Sequence, residues 1–322
     1  MIRVTAHSRL HFGLLSPAAD TSWANIDSEP TMPSRRFGGV GLMIEDPNLV
    51  LSIEPAKHWT ATGPMSERAL NFANGFGAQI SELSPHTIIV EEAPPAHSGL
   101  GSGTQLGLTV AKALAVAAGN LDWTSVELAR RVGRGLRSAV GVHGFERGGL
   151  IVEAGKRGDE AVAPLIISAS LPEAWRIVVV LPEHRPVMFG APELAAFEGL
   201  AANPDAAESL CRLVLLGMLP ALREVDCRAF GEAVYDFNAR VGELFASVQR
   251  GRYAGMRCSE IVSFLRGIGI SGVGQSSWGP ALFAIVEDSD RAASIANQLR
   301  ERFGSATAWV TRPAGPAEVT TG

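Results

Sequence analysis

Near the start of the chain, apolar and polar residues alternate in short runs; further on, apolar positions recur at helical spacing. Residues 2–6 and 9–15 predict two strands, and 40–44 and 49–54 two more, with Pro47 and Asn48 marking a turn. Residues 16–36 are polar and rich in turn formers, which predicts a long loop of the kind that is often a functional lid or a disordered segment. Residues 66–83 predict a helix with Ser66 as cap and Glu67 in its first turn. Residues 87–91 predict a strand. Residues 104–118 predict a helix ended by Gly119 and Asn120, and 124–132 a helix capped by Asp122 or Thr124. Residues 148–153 predict a strand.

The pattern weakens over 155–172, so two domains are expected, 1–170 and 171–322. The second half reads as strand 176–181, long helices 206–219 and 227–250, helix 257–265, strand 281–286, helix 290–303 and strand 308–311. Strands with helices on one side predict an α+β fold.

Composition narrows the partners. Apolar residues make up 46% of the 322 and charged residues 19%, which fits an ordered globular chain. The net charge of -5 argues against nucleic-acid binding that depends on phosphate neutralisation. Nearly all of the 28 basic residues are arginine, the only lysines being Lys57, Lys112 and Lys156. That bias suits a bidentate grip on phosphates or carboxylates, and genome base composition produces the same bias. Cys211, Cys227 and Cys258 are odd in number and widely spaced, which disfavours disulfides or structural zinc and leads to an expected cytoplasmic location. No signal peptide and no apolar run of membrane-spanning length is recognisable, so no membrane partner is expected.

The strongest local signal is Pro94-Pro95-Ala96-His97-Ser98-Gly99-Leu100-Gly101-Ser102-Gly103-Thr104-Gln105, between a predicted strand and a predicted helix. Alternating glycines permit positive φ and close approach of a ligand. Amides at a helix start carry the positive end of its dipole, and Ser102, Thr104 and Gln105 add donors. The phosphate loop with a lysine is excluded because no lysine is near, and the dinucleotide fingerprint fails at Thr104. A second segment, Gly267 to Pro280, combines glycines with Gln275, Ser276, Ser277 and Trp278, a mix suited to the wall of a polar site with one flat apolar surface.

The first loop resembles the glycine-rich motif of the GHMP superfamily. Together with Ser8-Arg9-Leu10-His11-Phe12-Gly13-Leu14, Arg36-Phe37-Gly38-Gly39-Val40-Gly41, Phe145-Glu146-Arg147-Gly148-Gly149 and Gly274-Gln275-Ser276-Ser277-Trp278-Gly279-Pro280, it resembles the beta-ribofuranosylaminobenzene 5'-phosphate synthase family. The resemblance implies a ribosomal protein S5 domain 2-like N-terminal domain and a ferredoxin-like C-terminal domain, with the site between them. It implies condensation of phosphoribosyl pyrophosphate with 4-hydroxybenzoate or 4-aminobenzoate, loss of carbon dioxide and pyrophosphate, and a place in methanopterin biosynthesis. It further implies small-molecule substrates, magnesium with the pyrophosphate, no organic cofactor, and a homodimer.

Under that resemblance Gly99, Gly101, Ser102, Gly103, Thr104 and Gln105 are expected to bind substrate, as are Gln275, Ser276 and Ser277. Arg9, Arg35 and Arg36 are candidates for its phosphates or carboxylate. His11 and His97 are candidates for proton transfer, each with the alternative of a histidine satisfied by its neighbours. Glu146 either holds magnesium or orients a base, or simply pairs with Arg147. Trp278 either stacks on the aromatic acid or packs between domains. His7 and His11 are four apart, but no third metal ligand is evident. Glu91 and Glu92 look like the acids of ordinary phosphoribosyltransferases and are expected to be a strand end only. Many kinases of the superfamily carry an aspartate where Gly141 stands, which makes a kinase the second reading; a non-catalytic nucleotide-binding module is the third.

Overall fold

The computed structural model describes residues 1–16, 35–81, 83–183, 203–249, 251–304 and 307–322. The predicted loop at 16–36 therefore lies almost wholly outside the described residues. In chain order the first half contains β1 (Ile2–Ser16), β2 (Phe37–Pro55), β3 (Thr60–Thr62), α1 (Ser66–Gly77), β4 (His86–Glu92), α2 (Ser102–Ala117), α3 (Ser125–Arg131), α4 (Val140–Arg147), β5 (Leu150–Glu153) and β6 (Leu165–Ala169). The second contains β7 (Arg176–Leu181), α5 (Pro204–Leu213), a π-helical turn (Val214–Met218), α6 (Leu219–Arg223), α7 (Cys227–Leu244) and α8 (Ala246–Gln249). Then follow α9 (Met256–Gly267), β8 (Gly272–Gln275), β9 (Leu282–Val286), α10 (Ser289–Phe303), β10 (Thr307–Thr311) and β11 (Glu318–Thr321).

Two sheets result. The first has the order β11-β1-β2-β4-β3, and β5 pairs with the opening residues of β2 and carries β6. The second is antiparallel, β10-β7-β9-β8. The chain ends by returning to the first sheet, where β11 pairs with residues 2–5 of β1.

Three apolar clusters follow from this layering. One lies under α1 and α2 against β1, β2 and β4, with Phe76 and Ile88 at its heart. A second joins the two sheets: Phe12 on β1 meets Phe283 on β9 with ring centroids 5.1 Å apart, and Phe230 and Phe237 of α7 close over them. The third seats α9 and α10 on the outer face of the second sheet through Ile261, Ile295 and Leu299. Because β1 is covered on both faces beyond Leu10, its residues from Leu10 to Leu14 are buried without alternation.

Several elements differ from the sequence expectation for physical reasons. The four predicted strands at the start are two long ones. His7 bulges from β1 and residues 45–48 bulge from β2, and the ladder resumes on either side, so Pro47 interrupts β2 without ending it. Helix α1 is shorter than predicted and is preceded by Met65 in the left-handed region, with no side-chain cap from Ser66. Thr124, not Asp122, caps α3, in a reciprocal box with Glu127. Part of the second glycine segment is the strand β8. Helix α4 and strands β6 and β11 are not visible in the sequence pattern. Among the described residues, no helix is long and apolar enough to cross a membrane.

Candidate active site

The junction of the two halves is organised by the outer edge of β1. Past residue 5, where β11 stops, the amide of Arg9 donates to the carbonyl of Leu100 at 3.0 Å. The amide of His11 donates to Ser276 Oγ at 2.9 Å, and the His11 carbonyl accepts from the amide of Ser277 at 2.9 Å. One strand thus holds both glycine-rich segments side by side.

In the first segment, Gly99 has φ +88° and Gly101 has φ +77°. A Cβ at Gly101 would stand 2.5 Å from Cγ of Arg9, so the arginine stem lies directly on the loop. Helix α2 begins on Gly101 with no side-chain cap. The amides of Thr104 and Gln105 turn back to the Gly101 carbonyl, whereas those of Gly101, Ser102 and Gly103 donate to no acceptor among the described residues. An uncapped helix start with open amides is an anion site in waiting. Thr104 stands half-buried beside them on the first turn of α2.

The second segment frames the first. Ser276 is fully buried and its hydroxyl donates to the Gly99 carbonyl at 2.7 Å. Gln275 Oε1 accepts from the Ala254 amide at 2.6 Å, and Nε2 donates to Gln249 Oε1 and to the Ser277 carbonyl. With those bonds made, Gln275 and Ser276 hold the loop in place. Trp278 is half-buried and meets Phe245 edge-on at 4.9 Å.

A buried polar group backs the junction. His11 Nε2 lies 3.0 Å from Ser138 Oγ. Ser138 also bonds Glu153, whose Oε1 accepts from the Ala139 amide and Oε2 from the Gly155 amide. Burial, with the Arg9 charge adding to it, pushes the His11 pKa well below its ordinary 6.5, so the ring is neutral. Burial raises the Glu153 carboxyl above its usual range against the pull of its three donors. Gly141 donates nothing to this group as a side chain. A Cβ there would meet Gln105 Nε2 at 3.2 Å and Arg9 Cδ at 3.6 Å, and its carbonyl accepts from Gln105 Nε2.

The other expected residues are placed elsewhere. His97 is exposed on the loop, in the left-handed region. Glu146 Oε2 accepts from both the amide and the hydroxyl of Ser125, at the start of α3. Burial opposes its ionisation, and the two bonds from Ser125 outweigh that, so its pKa falls. It also pairs with Arg147 at 3.6 Å. Arg35 is held on the Gly155 carbonyl and Glu160, and Arg36 sits over the Phe37 ring. Neither hydrogen-bonds the glycine loop. Glu91 pairs with Arg3 at a strand end. Sequence reading did not single out Ser138, Glu153 or Asn238. Glu153 had one available signal, a lone acid closing the apolar run Leu150-Ile151-Val152.

No group of three His, Cys, Asp or Glu is placed to hold a metal among the described residues. Glu146 and Glu153 have spent their oxygens on protein donors, so they do not fit a magnesium cage. A cavity of about 340 Å³ between α7 and the end of β9 is a different place, and its Arg266 is spent on Glu232 and two carbonyls.

Two sheets bridged by β1, with a glycine-led helix start at the bridge, define a protein of the GHMP kinase class. Residues 67–148 match the GHMP kinases N terminal domain and 218–305 the GHMP kinases C terminal. The fold is shared with a homoserine kinase from Cytophaga hutchinsonii (TM-score 0.60, 14% identity, 99% of this chain and 97% of that one). It is shared too with a mevalonate diphosphate decarboxylase from Staphylococcus aureus (TM-score 0.64, 14% identity, 100% and 99%). The beta-ribofuranosylphenol 5'-phosphate synthase of Methanothermobacter thermautotrophicus is 31% identical over 306 residues, covering 86% of this chain and 89% of that one. The Archaeoglobus fulgidus protein of the same name is 29% identical, covering 94% and 93%. The chain belongs to the beta-ribofuranosylphenol 5'-phosphate synthase family.

Proposed function

We propose that this protein is a decarboxylating pentosyltransferase that joins phosphoribosyl pyrophosphate to 4-hydroxybenzoate or 4-aminobenzoate in methanopterin biosynthesis. The bond between ribose C1 and the diphosphate oxygen breaks, and its electron pair leaves with pyrophosphate. The ring carbon bearing the carboxylate attacks C1, driven by loss of the phenol proton or by the amine lone pair. The carboxylate then departs as carbon dioxide, returns its pair to the ring and restores aromaticity.

The observation that carries this reading is the set of open amides at Gly101, Ser102 and Gly103. Fixed donors aimed at a leaving diphosphate stabilise charge as it develops, with no reorganisation at the moment of reaction. Arg9, lying on the same loop, adds a permanent positive charge beside it. Burial makes His11 a neutral, weak base, so with Ser138 it is our candidate for accepting a hydrogen bond from the phenol and passing its proton on to solvent rather than for holding it. Trp278 supplies the flat surface for the aromatic acid. Magnesium would arrive bound to the diphosphate, since the nearby carboxylates are engaged. We propose a division of the chain near residue 170, a cytoplasmic location and a homodimer.

The kinase reading is the weaker one. Glycine at 141 removes the carboxylate, and the space beside it is filled by Gln105, Thr104 and Arg9. The deciding experiment follows carbon dioxide from carboxyl-labelled 4-hydroxybenzoate and 4-aminobenzoate in the presence of phosphoribosyl pyrophosphate and magnesium. Release that depends on phosphoribosyl pyrophosphate is expected; folded protein that releases none with either acid would overturn the reading.

A further inference from the structure

Two arginines that the sequence did not single out meet at the start of α2. Arg68, on α1, places Nη2 only 2.6 Å from where a Cβ on Gly103 would lie. The Arg134 guanidinium, beyond the end of α3, stacks on Phe72 at 4.8 Å, one turn along α1 from Arg68. Phe72 in turn covers Gly107, one turn along α2 from Gly103. Arg68 therefore lines one side of the helical turn whose amides are open, and Arg134 stands behind Phe72, one turn along the same face.

Neither arginine forms an ion pair with a carboxylate among the described residues, and the buried Arg134 Nε has no hydrogen-bond partner. Burial depresses the Arg134 pKa, and the charge of Arg68 depresses it further, which places the two guanidiniums within electrostatic reach of each other. Arg68 also stands near the positive end of α2. Like charges gathered this way repel each other while the place is empty. The arrangement becomes favourable once a multiply charged anion enters, because guanidinium forks and helix-start amides both match phosphate oxygens.

We propose that Arg68 and Arg134 bind the diphosphate end of phosphoribosyl pyrophosphate, and the released pyrophosphate, over the amides of Gly101 to Gly103. The identity of the substrate rests on the function proposed above; the test of the two arginines does not. A diphosphate matches the cluster better than the single 5'-phosphate, since it spans two guanidiniums and a row of amides at once.

The test uses the full chain and two probes, inorganic pyrophosphate and ribose 5-phosphate, titrated by calorimetry into the wild-type protein, Arg68→Gln and Arg134→Gln. Each variant is expected to weaken pyrophosphate about 10-fold or more while ribose 5-phosphate changes by less than about 2-fold. Without ligand Arg68→Gln should melt no lower than wild type, because a repulsion has been removed, and in both variants the rise in melting temperature that pyrophosphate gives the wild type should shrink. Arg134→Lys serves where Arg134→Gln lowers the melting temperature: it keeps the charge and loses the fork, and should still weaken pyrophosphate. Equal losses for both probes, unchanged pyrophosphate affinity in the variants, or no pyrophosphate binding by the wild type would each overturn the assignment. Pyrophosphate binding needs no turnover, so failure of the carbon dioxide assay would sink the reaction and leave this result to stand by itself.

Discussion

The hydroxyl of Ser276 donates to the carbonyl of Gly99 at 2.7 Å and accepts from the amide of His11 at 2.9 Å, tying together three segments remote in sequence. Both main-chain partners lie at the junction of the two halves. Ser276→Ala leaves the buried His11 amide without a partner and the Gly99 carbonyl with only the long bond from Arg9 Nη1 at 3.4 Å. A loss of about 1–3 kcal/mol in stability is expected, read from urea denaturation. Activity should fall mainly through a higher KM for phosphoribosyl pyrophosphate, because the loop loses its tether.

Gly101→Ala tests the loop itself. The residue has φ +77°, and the added methyl would stand 2.5 Å from Cγ of Arg9. Relieving that contact moves either the arginine or the start of α2. We expect kcat/KM for phosphoribosyl pyrophosphate to drop by about 10-fold or more, since small displacements of positioning groups cost that much or greater. The circular dichroism spectrum should be unchanged. Wild-type activity in this variant would show that the loop does not hold the substrate.

Gly141→Asp asks whether the missing carboxylate is what separates this chain from a kinase. The new side chain would push against Gln105 and Arg9. The expected outcome is loss of synthase activity with no gain of ATP turnover. Appearance of ATP hydrolysis or transfer would show that the site is closer to a kinase than its filled space implies.

His11 makes a prediction about acid. Its pKa is held well below 6.5 in the folded protein, chiefly by burial, while the unfolded chain keeps the ordinary value. The unfolded state therefore takes up a proton first as pH falls. Stability is full above about pH 6.5 and is lost progressively below it, through the lower folded pKa. His11→Asn, which keeps a polar group beside Ser138, should flatten that part of the curve. Urea midpoints measured at about pH 7.5 and about pH 5.5 decide it: an unchanged difference between wild type and variant means that His11 is not the group responsible.

How much was legible follows from which signals are local. The glycine loop was, because alternating glycines before an apolar helix mark a backbone that needs positive φ and leaves its amides uncovered. The cap at Thr124 was narrowed to two residues by its own short-range chemistry. Strand lengths were not: bulges at His7 and at residues 45–48 break the alternation without breaking the ladder. Helix α4 carries Gly141 and Gly144, which lower helix propensity, and packing decides there; a Cβ on Gly144 would strike Met43 Sδ. Strand β11 is exposed along its length and so has no inward face to betray it. At the site, Gln275 and Ser276 read as ligand donors but serve the protein's own backbone. Arg68, Arg134, Ser138 and Glu153 come together only in three dimensions.

Asn238 on α7 donates to the carbonyls of Phe12 and Gln275 and accepts from the Gln275 amide. One buried carboxamide thus rivets a strand of each sheet to the same helix. Hinge bending between the sheets would break the bond to Phe12 if the helix stays with the second sheet, or both bonds to Gln275 if it stays with the first. The floor of the junction is therefore stiff, and substrates must enter over its rim and adapt to a shape already set.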